Sequence, residues 1–146
     1  MKSCLVSCFV AVFLVYCASG YMDPKRFGKN FGAITKKSHD FCKAVTNVPQ
    51  DLIDGVRDGQ FPNVTSIKCY TTCLWLYAKS MDLDCKMNEE VLRSYMSEMN
   101  RNEDVEVMMN CAKEACNSGE KSSCDIGYKM QMCIYENVPK DCYIFF

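Results

Sequence analysis

The chain has 146 residues, 17 of them basic and 18 acidic, with 12 cysteines and a single histidine. A charge this balanced excludes a nucleic-acid surface or a polybasic membrane patch, and the length is that of one domain. With His39 as the only histidine, the cysteines read as a disulfide framework in an oxidising compartment, and no metal or cofactor is expected.

Residues 1–20 read as a secretory signal. Met1-Lys2-Ser3 is a short basic start, Leu5 to Tyr16 an apolar run broken only by Ser7 and Cys8, and Ala18-Ser19-Gly20 the small residues a signal peptidase requires. The run is too short and too poorly flanked for a membrane span. Cleavage after Gly20 leaves one domain, residues 21–146, which is expected to be secreted and extracellular. Cys4, Cys8 and Cys17 leave with the signal, so nine cysteines remain; loss of Lys2 leaves 16 basic residues against 18 acidic.

Tyr21 to Asn30 is short and basic and reads as a loose arm. From Phe31 the apolar residues Ile34, Phe41, Cys42 and Val45 recur at helical spacing. The helix they define ends before Val48-Pro49, because a residue that precedes proline resists the α region. A short second helix follows from about Pro49 to Arg57 and stops at Gly59. Gln60 to Asn63 is a connector, and Asn63-Val64-Thr65 is a sequon that offers Asn63 for N-glycosylation.

Thr65 or Ser66 can cap a third helix that runs to about Met81. It carries Cys69, Cys73, Leu76 and Ser80 on one face, and Tyr70, Leu74, Tyr77 and Met81 on another. So apolar a helix is expected to be central. Asn88-Glu89-Glu90 opens a fourth helix whose apolar face is Val91, Leu92, Tyr95, Met96 and Met99. Glu103 or Asp104 opens a fifth, with Val105, Met108, Cys111, Ala112 and Ala115 aligned. Ser122 or Ser123 caps a sixth, with Tyr128, Met130, Met132, Cys133 and Ile134, ending at Asn137-Val138-Pro139. The tail from Asp141 to Phe146 is apolar to its last residue. No strand alternation of any length occurs, so the fold class is all-α, a compact bundle of about six helices. Several are short for stability in isolation, which takes roughly 12–15 residues.

Cys69 and Cys73 are four apart on the third helix and project from the same face. They cannot comfortably bond each other, so each must reach a different part of the chain. Beyond that, spacing leaves the pairing open: nine cysteines allow roughly 900 arrangements of four bonds. Six of them fall on the expected helices (Cys42, Cys69, Cys73, Cys111, Cys124 and Cys133), with 26, 3, 37, 12 and 8 residues between them. Cys85, Cys116 and Cys142 fall in or beside loops.

This spacing, above all the gaps of three and eight, resembles the six-cysteine pheromone/general odorant-binding proteins of insects (PBP/GOBP family). The resemblance spans essentially the whole chain after the signal. It implies an interlocked pairing, Cys42–Cys73, Cys69–Cys124 and Cys111–Cys133, in a helical bundle around an apolar cavity. It also implies a non-catalytic carrier of small hydrophobic ligands of the odorant or pheromone kind, serving olfaction or transport. A membrane chemoreceptor is then a candidate partner, and the protein a monomer or dimer. Cys85, Cys116 and Cys142 depart from the pattern: a bond from Cys142 to Cys85 or Cys116 would anchor the tail, whereas an unpaired thiol would offer a bridge between two chains.

Candidate pocket residues are Val56, Phe61, Leu76, Tyr77, Met96, Met108, Ala112, Met130 and Ile134, with Phe145 and Phe146 of the tail expected to pack onto the bundle as part of the wall. Any one of them also fits an ordinary core. Methionine-rich walls adapt to varied ligands. His39 is the natural candidate for a response to pH near neutrality. Two other classes compete. A secreted, disulfide-stapled interaction or defence protein would have a solid core. The stretch His39-Asp40-Phe41-Cys42 is similar to the His-Asp-x-Cys of secreted phospholipases A2. The cysteine- and glycine-rich calcium loop upstream and the paired cysteines before the histidine are missing, which speaks against an enzyme.

Overall fold

A computed structural model describes residues 21–146; the signal-sequence reading concerns residues 1–20, outside the described residues. Six α-helices follow one another: α1 (Lys29–Thr46), α2 (Gln50–Arg57), α3 (Thr65–Tyr77), α4 (Glu89–Ser97), α5 (Glu103–Cys116) and α6 (Ser123–Asn137). Short 3-10 turns, Pro24–Arg26 and Lys140–Cys142, flank them. The only β pairing among the described residues is an isolated bridge between Met81 and Met87.

Local chemistry sets some of the boundaries. Asn47 takes the left-handed conformation at φ 51° and closes α1. Asn88 starts α4 by accepting a hydrogen bond from Val91 N at 3.2 Å. The start of α1 has no capping side chain of its own. Instead Glu98, at the far end of α4, accepts from Asn30 N (3.0 Å), Asn30 Nδ2 (2.8 Å) and Phe31 N (3.3 Å). A carboxylate there meets orphan N–H groups and the positive end of the helix, and these hydrogen bonds hold its pKa below the usual value.

The third helix is shorter than its apolar pattern suggests. It stops at Tyr77, because Lys79 turns left-handed at φ 57° and the N–H groups of Ser80 and Met81 fold back onto the Trp75 carbonyl. The apolar stripe continues to Met81 because that residue is buried in the following loop. Periodicity records burial and does not record where the hydrogen-bond ladder breaks.

The α3 helix is the centre, packed against α6 and α1, while α5 packs against α6 and α4. Four disulfides join this frame. Cys42–Cys73 ties α1 to α3, Cys69–Cys124 ties α3 to α6, and Cys111–Cys133 ties α5 to α6. Cys85–Cys116 pins the loop between α3 and α4 to the end of α5. Cys116 is the last residue of α5, beside the loop that leads to α6. Gly127 of α6 lies so close to α3 that an added methyl group would overlap the Thr72 hydroxyl and sit 3.1 Å from the Thr72 Cα.

The expected loose arm is instead docked. Met22 is 1% exposed, its N–H donates to the Tyr143 carbonyl at 2.6 Å, and Arg26 Nη1 donates to the Asp141 carbonyl at 3.1 Å. Charge at Lys25 and Arg26 suggested solvation; burial of one methionine and pairing with the tail decide otherwise.

Candidate functional site

An apolar cavity lies where α1, α3, α4, α5 and α6 converge. Each of these helices contributes at least one residue. Phe31 comes from the first turn of α1, and Leu74 and Trp75 with Ala78 from the end of α3. Leu92, Tyr95 and Met96 come from α4, Met108 from α5, and Gln131 and Ile134 from α6. The tail supplies the remaining wall through Cys142, Ile144, Phe145 and Phe146. About 50 Å³ of space is free inside, well below the roughly 300–1,000 Å³ of pockets for drug-sized ligands. The tail occupies much of the room that the helices enclose, with Tyr143 and Phe145 buried.

Polar groups in this region are few and mostly matched. Gln131, 2% exposed, accepts from Trp75 Nε1 at 3.0 Å and donates to the Ile144 carbonyl at 3.2 Å. One amide thus joins α3, α6 and the tail. Tyr143 packs its ring against Tyr135 at 4.8 Å, and its buried hydroxyl has no partner among the described residues. Burial raises its pKa, so it stays a neutral donor.

The end of the tail is held by a second polar set. The Tyr70 hydroxyl donates to the Phe146 main-chain oxygen, and His39 Nδ1 lies 2.7 Å from the same hydroxyl. Since the Tyr70 proton goes to a pure acceptor, the contact from His39 is an N–H donating to the Tyr70 oxygen. Burial, followed by the charges of Lys43 and Arg57, lowers the His39 pKa; the Phe146 backbone and Asp40 oppose them. Arg57 Nε also donates to the Phe145 carbonyl at 3.3 Å. Phe146 packs edge-on against Phe27 and Phe31.

Of the residues expected at a pocket, Met96, Met108, Ile134, Phe145 and Phe146 lie on the cavity. Val56, Ala112 and Met130 are buried in the core away from it. Phe61 meets Tyr128 and Tyr135 of α6 edge-on, away from the cavity lining. Leu76 and Tyr77 are half-buried and face elsewhere: Leu76 borders outer clefts beside the loop after α3, and Tyr77 meets Phe41 of α1 at 5.1 Å. The disulfides set this rotation. With Cys69 and Cys73 aimed at α6 and α1, the face with Leu74, Trp75 and Ala78 turns inward. Leu74 and Ala78 share a stripe four apart, a signal present in the sequence; the roles of Trp75 and Gln131 had none, since their hydrogen bond links positions 56 residues apart.

Cys142 is a free, buried thiol with no disulfide partner among the described residues. Cys85 and Cys116 take each other, which removes both partners considered for it. Burial raises the thiol pKa despite nearby Arg101, so it is a poor nucleophile, and a group 6% exposed is badly placed to bridge two chains. Asn63 is exposed in the connector before α3. His39, the centre of the phospholipase-like stretch, contacts Tyr70, and Cys42 of that stretch is bonded to Cys73.

The PBP/GOBP family matches residues 29–137. Among solved structures the fold is similar to Apis mellifera odorant binding protein 5, with a TM-score of 0.62 at 18% identity over 81% of this chain and 96% of that one. No curated protein matches the sequence.

Proposed function

The chain belongs to the PBP/GOBP family, and from that premise we propose that it is a secreted carrier of small hydrophobic ligands, without catalysis, that takes them up in the cavity between its helices. The observation that carries the reading is the arrangement of that cavity: apolar walls on five helices, four of them tied to one another by disulfides, and a further wall made of a tail with no crosslink among the described residues. Staples keep the helices apart without requiring a filled core. The tail can leave, and a ligand that replaces Phe145 and Phe146 recovers the apolar burial they give up, at about 25 cal/mol per Å². The tail is therefore a displaceable lid. Removal of residues 1–20 on secretion, an odorant-like ligand and delivery to a chemoreceptor complete the proposal.

One observation favours a second reading, a disulfide-stapled interaction or defence protein with a solid core: only about 50 Å³ is free with the tail in place. A fluorescent-probe titration separates the two. A carrier made of residues 21–146 binds N-phenyl-1-naphthylamine at micromolar concentration and releases it to apolar competitors, and loss of Cys142 to Phe146 changes the affinity. A solid bundle binds no probe with or without its tail.

A further inference from the structure

Phe146 is a wall shared by two spaces. Its inner side borders the apolar cavity. Its outer side borders an open groove of about 250 Å³ between α1, the end of α2 and the arm, where Thr35, Lys36, His39 and Arg57 stand. If Phe146 moves aside, the cavity and the groove become one passage, apolar inside and cationic at the mouth.

The polar groups at that mouth share one property: they grip oxygen acceptors. Tyr70 donates to the Phe146 main-chain oxygen, Arg57 Nε donates to the Phe145 carbonyl, and His39 stands behind the Tyr70 hydroxyl. Charge favours an anionic acceptor. Arg57 pairs with Asp54 on its own helix at 2.9 Å, and Asp40 lies near His39. Against these stand Arg57 itself, Lys43, which donates to the neutral Gln50 amide, and Lys36, which is exposed and has no carboxylate partner among the described residues.

We propose that the ligands this site prefers are amphiphiles with a carboxylate head, such as unbranched fatty acids. The alkyl chain lies where Phe145 and Phe146 now pack. The carboxylate takes over the hydrogen bonds from Tyr70 and Arg57, with the Lys36 charge close by. Charge-assisted hydrogen bonds exceed neutral ones, so the head group and not the chain decides the preference. This rests on the carrier reading and names the class of ligand for the same site.

The test compares tetradecanoic acid, 1-tetradecanol and methyl tetradecanoate at neutral pH against residues 21–146. Two readouts serve: displacement of N-phenyl-1-naphthylamine and the change in emission of Trp75, the single tryptophan, which lines the cavity. The acid should bind about tenfold more tightly than the alcohol or ester. Arg57→Gln combined with Lys36→Gln should bring the acid down to the level of the alcohol and the ester measured on the same variant. Should the Arg57 variant fold poorly, Lys36→Gln alone, at an exposed position, should lower the acid's advantage by part of that factor. Equal binding of all three ligands, or an acid preference untouched by Lys36→Gln, overturns the carboxylate proposal and leaves the carrier reading standing. Absence of binding by both readouts sinks the carrier reading and this proposal with it.

Discussion

Two regions of this molecule are built by different rules. The frame of α1, α3, α5 and α6 is held by covalent bonds between helices, with three disulfides crossing its interior seams. The tail from Cys142 to Phe146 has no crosslink among the described residues and is held by aromatic packing and a few hydrogen bonds: Met22 to Tyr143, Gln131 to Ile144, Arg57 to Phe145 and Tyr70 to Phe146. Yet Tyr143 at 0% and Phe145 at 2% are as buried as the core of the frame, with Ile144 and Phe146 half-buried beside them. Equal burial with unequal attachment separates a wall that must stay from a wall that can leave.

Breaking the frame should have the largest effect. Replacing Cys69 and Cys124 together by serine should cost about 2–5 kcal/mol, read as a lower midpoint in thermal unfolding, and should weaken probe binding because α3 and α6 lose their spacing. If the double variant unfolds at the wild-type temperature, the frame does not depend on its staples. Next comes Gly127→Ala, which forces α6 away from Thr72. Overpacking of this kind costs about 1–3 kcal/mol, and Thr72→Ala in the same chain should recover part of it; no loss would mean that the two helices have slack.

The tail should respond in the opposite sense. Tyr70→Phe removes the hydroxyl that holds the Phe146 main-chain oxygen. It should loosen the tail by about 1 kcal/mol and raise affinity for a neutral apolar probe about fivefold, with little change in the unfolding midpoint. Unchanged or weaker probe binding would make the tail a fixed wall and erase the contrast.

The smallest expected effect is the pH response of the latch. The His39 pKa is lowered in the fold, first by burial and then by Lys43 and Arg57. The unfolded chain therefore binds more protons than the folded one over the window below the ordinary histidine value near 6.5. Stability is full above that value and declines as pH falls from about 7 toward 5. The His39–Tyr70 hydrogen bond itself survives protonation, since Nδ1 already donates, so the decline is gradual. His39→Gln should flatten it, as measured by unfolding midpoints at pH 7 and 5; an equal slope in the variant would assign it to other groups. Glu98 and Asp125, whose pKa values are lowered, act at more acidic pH and fall outside this window.

Much of the frame was readable before folding. Apolar spacing of 3.6 located the helices to within a few residues, because that signal acts within a turn or two of the chain; Asn88 caps α4, but Val64 and not Thr65 or Ser66 holds the N-cap of α3, without a side-chain bond. The end of α3 was misplaced by four residues because a left-handed Lys79 leaves no trace in periodicity. The arm was misjudged because its anchor, Met22 against Tyr143, joins positions more than a hundred residues apart. At the candidate site the methionines and Ile134 stood on visible apolar stripes. Trp75, Gln131 and the choice of Leu74 over Leu76 depended on how far α3 is rotated about its own axis.

The amino-acid sequence by itself determined what is local or covalent: the helical segments and the cysteine spacing that marks the family. Only the tertiary structure decided which face of each helix looks inward, that Cys85 takes Cys116 and leaves Cys142 without a partner among the described residues, and that the arm and tail pack together beside the cavity. The division follows from range. Helix periodicity and capping are settled by hydrogen bonds across three or four residues, whereas rotation, pairing and closure are set by contacts between distant segments, chosen together when the core packs.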